Sequence, residues 1–426
     1  MKASDVAWSA AGLLAPLAVA LIAIPPLLAT LGAQRFGLLS LAWALTAMSG
    51  LFDLGIGRAA TRLVAVQRGR DDANQAHATL NAALPIATLA GTFGALLMLA
   101  AAAFGAYRAI RFEPALDAEV QMAVLLLAPA VPLQTLIATY RGVSEACQRF
   151  RGIGIVRIAL GIANFAGPWA VSQTTTHLGA LIASLLAARI VACLAYRQLA
   201  QSALPAQTRR EPLAAADRQR LWRSGGWFSI SAVVSPLLVQ ADRFVIGALL
   251  SAAAVTAYAV PFDIVTQLLI GVSAVASVAF PSIAAELQRR PARARQRFLG
   301  WTGGVAVVMA LLCALLAAAL PAALPAWAGT LLPAESITVG RWLCLGVWIN
   351  SLGAMYFAWL HANDRFRATA LLHLVELPLY AALLWTLLPA LGVTGAAMAW
   401  VARVAFDSVM LAWLSRESQN AVANSR

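Results

Sequence analysis

Long apolar stretches alternate with short polar connections rich in arginine along this chain of 426 residues. A helix needs about 20 apolar residues to cross the hydrocarbon core of a bilayer. Twelve stretches reach this length: 8–33, 37–57, 79–104, 120–140, 153–173, 178–197, 227–250, 257–283, 299–320, 338–360, 368–388 and 393–414. The pattern predicts an all-α integral membrane protein with 12 transmembrane helices.

Composition excludes a soluble fold. The chain is 61% hydrophobic and 12% charged, whereas soluble domains are about 45–50% apolar and about 25% charged. Too few polar residues remain to cover the surface of a globular core. We therefore expect a multi-pass protein of a lipid bilayer.

The placement of arginine orients the predicted helices. With the N-terminus inside, the inside segments carry 24 of the 31 lysines and arginines, and only four lie outside or at the outer border. This distribution follows the positive-inside rule and predicts that both termini are cytoplasmic. The net charge of +13 is then a consequence of topology. We expect no nucleic-acid partner, because the basic residues are not interleaved with exposed aromatics.

The connections predict the domain organisation. The longest inside connection, 198–226, follows the sixth apolar stretch. It predicts an N-terminal six-helix bundle at 1–200, a cytoplasmic linker at 201–225, a second bundle at 226–416 and a cytoplasmic tail at 417–426. The first apolar stretch is too long for a cleaved signal peptide and is interpreted as a retained helix.

An internal repeat relates the two halves. ACQRFR (146–151) and ANDRFR (362–367) share four of six residues at an offset of 216. Downstream, AARIV (187–191) aligns with VARVA (401–405) at an offset of 214. The repeat predicts two bundles related by a pseudo-two-fold axis along the membrane normal. The alternative is chance similarity between two arginine-rich hairpins.

Two arginines lie deep inside the predicted helices. Ionisable residues there cost about 2.5–3.5 kcal/mol on insertion scales and usually have a role. Arg189 and Arg403 are about ten residues, or roughly 15 Å, from the outer ends of their stretches. One guanidinium group can donate two parallel hydrogen bonds to the oxygens of a phosphate. We therefore predict that Arg189 and Arg403 are substrate-binding cations of a central cavity. For Arg403 the alternative is an ion pair with Asp407 or Glu376, whereas Arg189 has Cys193 at i+4 and no local partner.

Further charges lie in the second half. Asp242 and Arg243 are adjacent and point about 100° apart on a helix, so Arg243 is a third candidate cavity cation. Asp242, Asp263 and Glu376 are candidate coupling or gating carboxylates that would carry H⁺ or Na⁺. Structural ion pairing is the alternative for each of them.

The stretch GLFDLGIGRAATRLV (50–64) ends the second predicted helix. Asp53 lies about 24 Å along that helix, close to the cytoplasmic surface. Arg58 and Arg62 follow at helical spacing and would anchor the helix among lipid phosphates. We predict an interfacial cluster at the inner mouth, with a role in receiving or gating cargo as the alternative.

Cofactor and catalytic motifs give no further candidates. The four cysteines and four histidines are dispersed without metal-ligand spacing, so the sequence predicts no metal site. No phosphate-binding loop or hydrolase motif occurs. The outside connections are also too short to hold a catalytic domain. A coupling ion is therefore the only cofactor that we expect.

Three stretches resemble a known family. FGLLSLAWALTAMSGLFDLGIGRAATRLVA (36–65) is similar to its second span, and ADRFVIGALLSAAAVTAYAVPFDIVTQLL (241–269) to its seventh and eighth. HANDRFRATALLHLVELPLYAALLWTLLPALGVTGAAMAWVARVAFD (361–407) is similar to its last two. These stretches resemble bacterial polysaccharide-biosynthesis membrane proteins, the Wzx-type O-antigen and oligosaccharide flippases. That family belongs to the multidrug/oligosaccharidyl-lipid/polysaccharide exporter superfamily.

The resemblance implies a secondary transporter with no enzymatic activity. Its cargo would be an undecaprenyl-diphosphate-linked oligosaccharide, an O-antigen or exopolysaccharide repeat unit. The transporter would move the cargo by alternating access through a cationic cavity, and a polysaccharide polymerase or assembly proteins would be partners. One alternative is an H⁺- or Na⁺-coupled exporter of drugs or metabolites, against which the two midplane arginines weigh. The other is a membrane-embedded polymerase or ligase, which generally has a larger outside loop.

Overall fold

The fold is entirely helical in the part of the chain that the structure describes. A computed structural model describes residues 3–53, 55–70, 72–204, 212–215, 217, 226–287, 290–363 and 365–424. These residues form α-helices and short 3₁₀ turns, and they contain no β-strand. The all-α prediction is therefore confirmed. The chain divides into two compact units, Met1–Gln240 and Ala241–Arg426.

The described residues of the first unit form seven α-helices and the start of an eighth. Their bounds are α1 Ala3–Met48, α2 Ile56–Gly69, α3 Ala73–Ala103, α4 Asp117–Leu127, α5 Ala130–Ala146, α6 Phe150–Ser172, α7 Leu178–Ala203 and α8 Gly226–Leu249. The boundary between the two units lies within α8. The helices α5, α6 and α7 enclose a buried apolar core that includes Val143, Ile153 and Tyr196.

The second unit continues from α8. Its further helices are α9 Ala252–Val265, α10 Leu269–Leu287, α11 Pro291–Ala328, α12 Glu335–Ala362 and α13 Phe366–Asn424. Residue Gly392 interrupts α13 with a φ of 61° and a ψ of −146°. Glycine adopts this conformation without the steric penalty of a side chain, and the chain folds into two arms on either side of it.

Nine helical segments of the described residues are long and apolar enough to cross a membrane. Several present bulky apolar side chains outward. On α3, for example, Leu89 and Phe93 are 71% and 61% exposed. Lipid accommodates such side chains, and helices satisfy their own backbone hydrogen bonds within it. The protein is therefore a multi-pass membrane protein.

Non-helical glycines divide two of these nine segments. Gly32 lies within the first segment and Gly392 within the last. Each segment covers two of the predicted stretches, so counting the arms separately gives 11 apolar helices in the described residues. The number of 12 membrane crossings, the cytoplasmic termini and the pseudo-two-fold axis stay predictions.

Two predicted helix bounds are wrong. The second stretch was expected to remain helical to residue 57, but α1 ends at Met48 and a 3₁₀ turn covers Ser49–Asp53. Gly55 then adopts a left-handed conformation (φ 73°) that starts a new helix, α2. Similarly, the predicted helix 120–140 is divided between α4 and α5 at Ala128 and Pro129.

Part of the predicted linker packs on the first unit. Gln67 Nε2 donates a hydrogen bond to Asp217 Oδ2 (3.1 Å), and the Ala214 amide donates to Gln75 Oε1 (3.1 Å). Most of the remaining linker, including 205–211 and 218–225, lies outside the described residues. The predicted tail continues α13 as far as Asn424.

Candidate transport site

The sequence repeat corresponds to a repeated local structure. Ala146 is the last residue of α5, and Ala362 is the last residue of α12. Four residues later, Phe150 begins α6 and Phe366 begins α13. Each hexapeptide therefore lies at the junction of two helices of its own unit. The second offset aligns Gly392, where α13 bends, with the first residue of α7.

A fully buried carboxylate on α8 accepts hydrogen bonds from two tyrosines. Asp242 is 0% exposed, and its Oδ2 accepts from the hydroxyls of Tyr258 (2.6 Å) and Tyr380 (3.1 Å). Its Oδ1 accepts from the Arg243 amide at 2.8 Å. These bonds hold Asp242 between α9 and the first arm of α13. They favour a structural or gating role over direct exposure to cargo.

The neighbouring Arg243 points away from Asp242 and pairs with Asp263 of α9. Its guanidinium carbon lies 5.5 Å from the centre of the Phe262 ring. Arg243 is buried, whereas the side chain of Asp263 is 43% exposed. The two neighbours therefore have separate partners, as their helical spacing indicated. Asp263 largely neutralises Arg243, so the structure does not present Arg243 as an unpaired cation.

Arg403 and Glu376 form a buried ion pair between the two arms of α13. Arg403 Nη1 donates to Glu376 Oε2 at 3.4 Å, and the guanidinium carbon lies 5.4 Å from the centre of the Tyr380 ring. Glu376 is 1% exposed and Arg403 is 8% exposed. Of the two alternatives for Arg403, the structure has the interhelical pair with Glu376.

Glu376 of this ion pair also belongs to a cluster with His373 and Asp407. Ligand atoms of His373, Glu376 and Asp407 all lie within 4.8 Å of one another. Sequence analysis identified Glu376 but missed His373 and considered Asp407 only as a partner of Arg403. The i, i+3 spacing of His373 and Glu376, which places both on one helix face, was a signal that could have found them.

Arg189 has a different environment in the first unit. It is 6% exposed, and Nη1 donates to Asn164 Oδ1 (3.3 Å) and to the Leu185 carbonyl (3.1 Å). Among the described residues, no carboxylate lies within ion-pair distance, and its Nε has no hydrogen-bond partner. Arg189 is therefore a buried cation without a counter-ion in that part of the chain.

The repeat explains this difference between the two units. The same offsets align Asn164 with Tyr380, Leu160 with Glu376 and Cys193 with Asp407. The first unit thus keeps the arginine of the second but has neutral residues in place of its two carboxylates. As a result, Arg403 has a carboxylate partner, whereas Arg189 has none among the described residues.

The predicted inner-mouth residues lie around the start of α2. Asp53 Oδ1 accepts a hydrogen bond from the Gly57 amide at 3.2 Å. Arg58 and Arg62 lie on the exposed face of α2, whereas Ala60 and Leu63 are buried. The structure therefore places Asp53 at a helix start, where an acceptor satisfies a free amide. The role in cargo entry stays a prediction.

Substitution of Asp53 separates these two roles. We expect Asp53→Ala to lower the free energy of unfolding by about 1 kcal/mol, because the Gly57 amide loses its acceptor. Asp53→Asn keeps an acceptor oxygen and removes the charge, so we expect near-normal stability. Thermal unfolding in detergent and a transport assay measure both effects. Loss of transport in a stable Asp53→Asn variant would show that the charge itself is needed.

Comparison with known proteins identifies the family. Residues 3–286 match the family described as "Polysaccharide biosynthesis protein". The chain belongs to this family. The resemblance found in the sequence is thereby confirmed.

One relative matches nearly the whole chain. A Shigella flexneri protein named "Putative O-antigen transporter" is 27% identical over 415 residues, which cover 96% of both chains. Together with the family match, this relative supports a membrane transporter rather than an enzyme. Its name refers to O-antigen as the cargo of that protein.

Solved structures share the fold at low sequence identity. An inward-facing multidrug resistance MATE family transporter of the MOP superfamily has a TM-score of 0.77 and 13% identity, covering 97% of this chain and 99% of that one. An outward-facing structure described in the same words has a TM-score of 0.68 and 12% identity, covering 99% and 97%. This protein therefore has a MATE-like transporter fold.

Proposed function

We propose that this protein moves an undecaprenyl-diphosphate-linked oligosaccharide from the inner to the outer leaflet of a bacterial inner membrane by alternating access. The observation that carries the proposal is Arg189, a buried guanidinium without a counter-ion among the described residues. A buried charge without a partner is costly, and a diphosphate is a ligand that would compensate it. The match to a relative named as an O-antigen transporter supports the same cargo class.

Arg189 is the proposed cationic contact for the diphosphate. Its Nε and the remaining guanidinium donors would bind phosphate oxygens in the planar, paired geometry that suits arginine. Asn164 and the Leu185 carbonyl would keep the side chain in place through their bonds to Nη1. Arg243 and Arg403 would contribute only when their carboxylate partners are neutralised.

The ion pairs of the second unit suggest how a coupling ion would act. Binding of H⁺ or Na⁺ to Glu376 or Asp263 would weaken the attraction to Arg403 or Arg243. The released arginine would then be available to the cargo, and this change would bias the protein between its two states. Asp242 would hold α8, α9 and α13 together through its tyrosine bonds during the exchange.

An apolar groove of about 790 Å³ in the second unit suits the lipid tail of the cargo. It is lined mainly by side chains of α10 and α11, including Val272, Val275, Val308 and Met309. A methyl group added to Gly304 would meet no atom within 4 Å. Arg297 lies at the groove, where it forms an ion pair with Glu286 (3.0 Å), and it would attract a phosphate only when that carboxylate is neutralised.

Leaflet-resolved detection of lipid-linked repeat units tests the proposal. A deletion strain is expected to accumulate these units in the inner leaflet, and the wild-type gene is expected to restore transfer. Gly304→Leu places a side chain in the groove and should lower transfer of the lipid-linked units about tenfold without changing thermal stability. The control is Gly303→Leu, since the neighbouring Gly303 does not line the groove. Normal distribution of the units in the deletion strain would refute the function.

A second candidate function is export of organic cations. Four carboxylates on α8, α9 and α13 (Asp242, Asp263, Glu376 and Asp407) are accompanied by two buried arginines on the described part of the same helices. Excess negative charge would favour a cationic substrate. Overexpression would then increase efflux of cationic dyes, and unchanged efflux would exclude this function.

A further inference from the structure

Three atoms of the cluster formed by His373, Glu376 and Asp407 are buried without a hydrogen-bond partner among the described residues. They are His373 Nδ1, Glu376 Oε1 and Asp407 Oδ1. Buried polar atoms in native proteins nearly always have a partner. Either a proton shared by the two carboxylates or a ligand that contacts all three groups would satisfy these atoms.

The scaffold orients each of these side chains. His373 stacks against Phe357 with ring centres 6.0 Å apart and planes inclined by 10°. The other carboxylate oxygen of Glu376, Oε2, accepts from Arg403 at 3.4 Å. Gly353 of α12 allows the arm that carries Asp407 to approach closely, since a Cβ there would lie 2.6 Å from the adjacent Ser408 Oγ. The three groups are thus held before any ligand binds.

The charge of the cluster favours a cation. Two carboxylates lie within 4.8 Å of each other, and the guanidinium of Arg403 contacts only one of them. With neutral histidine, the cluster and Arg403 together have a net charge of −1. Close carboxylates repel each other in a buried site. A bound cation would remove this repulsion and would satisfy all three acceptor atoms at once.

We propose that His373, Glu376 and Asp407 bind a divalent transition-metal cation, for which Zn²⁺ is the appropriate probe. An imidazole nitrogen with carboxylate oxygens suits such metals better than Na⁺ or Mg²⁺, which prefer oxygen ligands alone. Tetrahedral zinc ligands lie about 3.3–3.6 Å apart. Small side-chain rotations bring atoms within 4.8 Å of one another to that spacing.

Arg403 is the positioning residue of this site. Its bond to Glu376 Oε2 fixes that carboxylate and leaves Oε1 available as a ligand atom. Such outer partners commonly change metal affinity by about 10–100-fold when they are removed. The proposal does not rest on the transported substrate, because metal binding can be measured on the purified protein without a transport assay.

Metal titration of purified full-length protein tests the proposal. The protein is prepared in detergent with a histidine-free affinity tag and stripped with a chelator. We expect calorimetry to show one Zn²⁺ per chain, and Co²⁺ to give the visible absorption bands of a low-coordinate site. His373→Gln and Asp407→Asn should each weaken Zn²⁺ binding about tenfold or more. The control is His361→Gln, an imidazole of α12 that is not in the cluster.

The outcomes are distinct. Absence of Zn²⁺ binding to the wild-type protein would overturn the proposal and leave a shared proton or a water molecule between the carboxylates. Equal affinity in Asp407→Asn and wild type would place the metal elsewhere and also overturn it. Displacement of Zn²⁺ by an equal concentration of Na⁺ would contradict a transition-metal site. Thermal unfolding identifies any variant that fails to fold. In that case, the Zn²⁺ affinity of the other ligand variant tests the proposal.

Discussion

Replacing Arg189 with leucine is expected to abolish transport while keeping or raising thermal stability. Arg189 is 6% exposed and has no carboxylate partner among the described residues. Its burial therefore costs free energy that no counter-ion offsets. Leucine removes that cost and fills most of the volume. We expect the free energy of unfolding to rise by about 1 kcal/mol and the transport rate to fall at least about tenfold, as for loss of one charged contact.

The matched control is Arg197→Leu on the same helix. Arg197 is exposed, so we expect little change in either quantity. Arg189→Lys keeps the charge but loses the planar donor pair, and intermediate transport is expected. Measurements are thermal unfolding in detergent and transfer of lipid-linked repeat units in cells. Arg189→Leu could instead be much less stable than the wild type and transport at a normal rate per folded molecule. That result would show that Arg189 has only a structural role.

Replacing Arg403 with leucine should have the opposite effect on stability. Glu376, which is 1% exposed, would lose its ion-pair partner and stay buried. Removing one partner of a buried pair typically costs about 3–5 kcal/mol. We therefore expect a clear fall in the midpoint of thermal unfolding. The double variant Arg403→Leu/Glu376→Leu removes both charges and should recover most of the loss.

The single and double variants form a mutant cycle with Glu376→Leu. Arg341→Leu, at an exposed position of α12, serves as the control for loss of an arginine from the second unit. A double variant no more stable than Arg403→Leu would mean that the unpaired carboxylate does not cause the loss. Packing against the Tyr380 ring would then be the main contribution of Arg403.

These two predictions differ because the two arginines have different neighbours at the positions that the repeat aligns. The arginine is common to both halves of the repeat, but Leu160 and Cys193 occupy the positions of Glu376 and Asp407. A fixed cation without a counter-ion suits recognition of an anion. An arginine beside exchangeable carboxylates suits response to a bound ion. If the predicted repeat arose by duplication, the loss or gain of two carboxylates would account for two proposed roles within one fold.

The class of protein and much of its local structure follow from the order of apolar and charged residues along the chain. Apolar stretches of sufficient length leave a chain no alternative to membrane-spanning helices, since lipid cannot satisfy a free backbone. The repeated hexapeptides likewise begin at equivalent helix ends, Ala146 and Ala362. Intramembrane charge was also sufficient to identify Arg189, Arg403, Glu376 and Asp242 as unusual, because burial of each is costly.

The partners of these charges, and the side chains around them, depend on how the helices pack in three dimensions. The contact between Arg403 and Glu376 spans 27 positions and depends on the left-handed bend at Gly392, which folds one arm of α13 against the other. The same fold brings His373 close to Asp407. In the first unit, Gly55 has a left-handed conformation immediately before α2. Hydropathy sums contributions along the chain and contains no term for such contacts. The partners of each charge therefore emerged only from the packed helices.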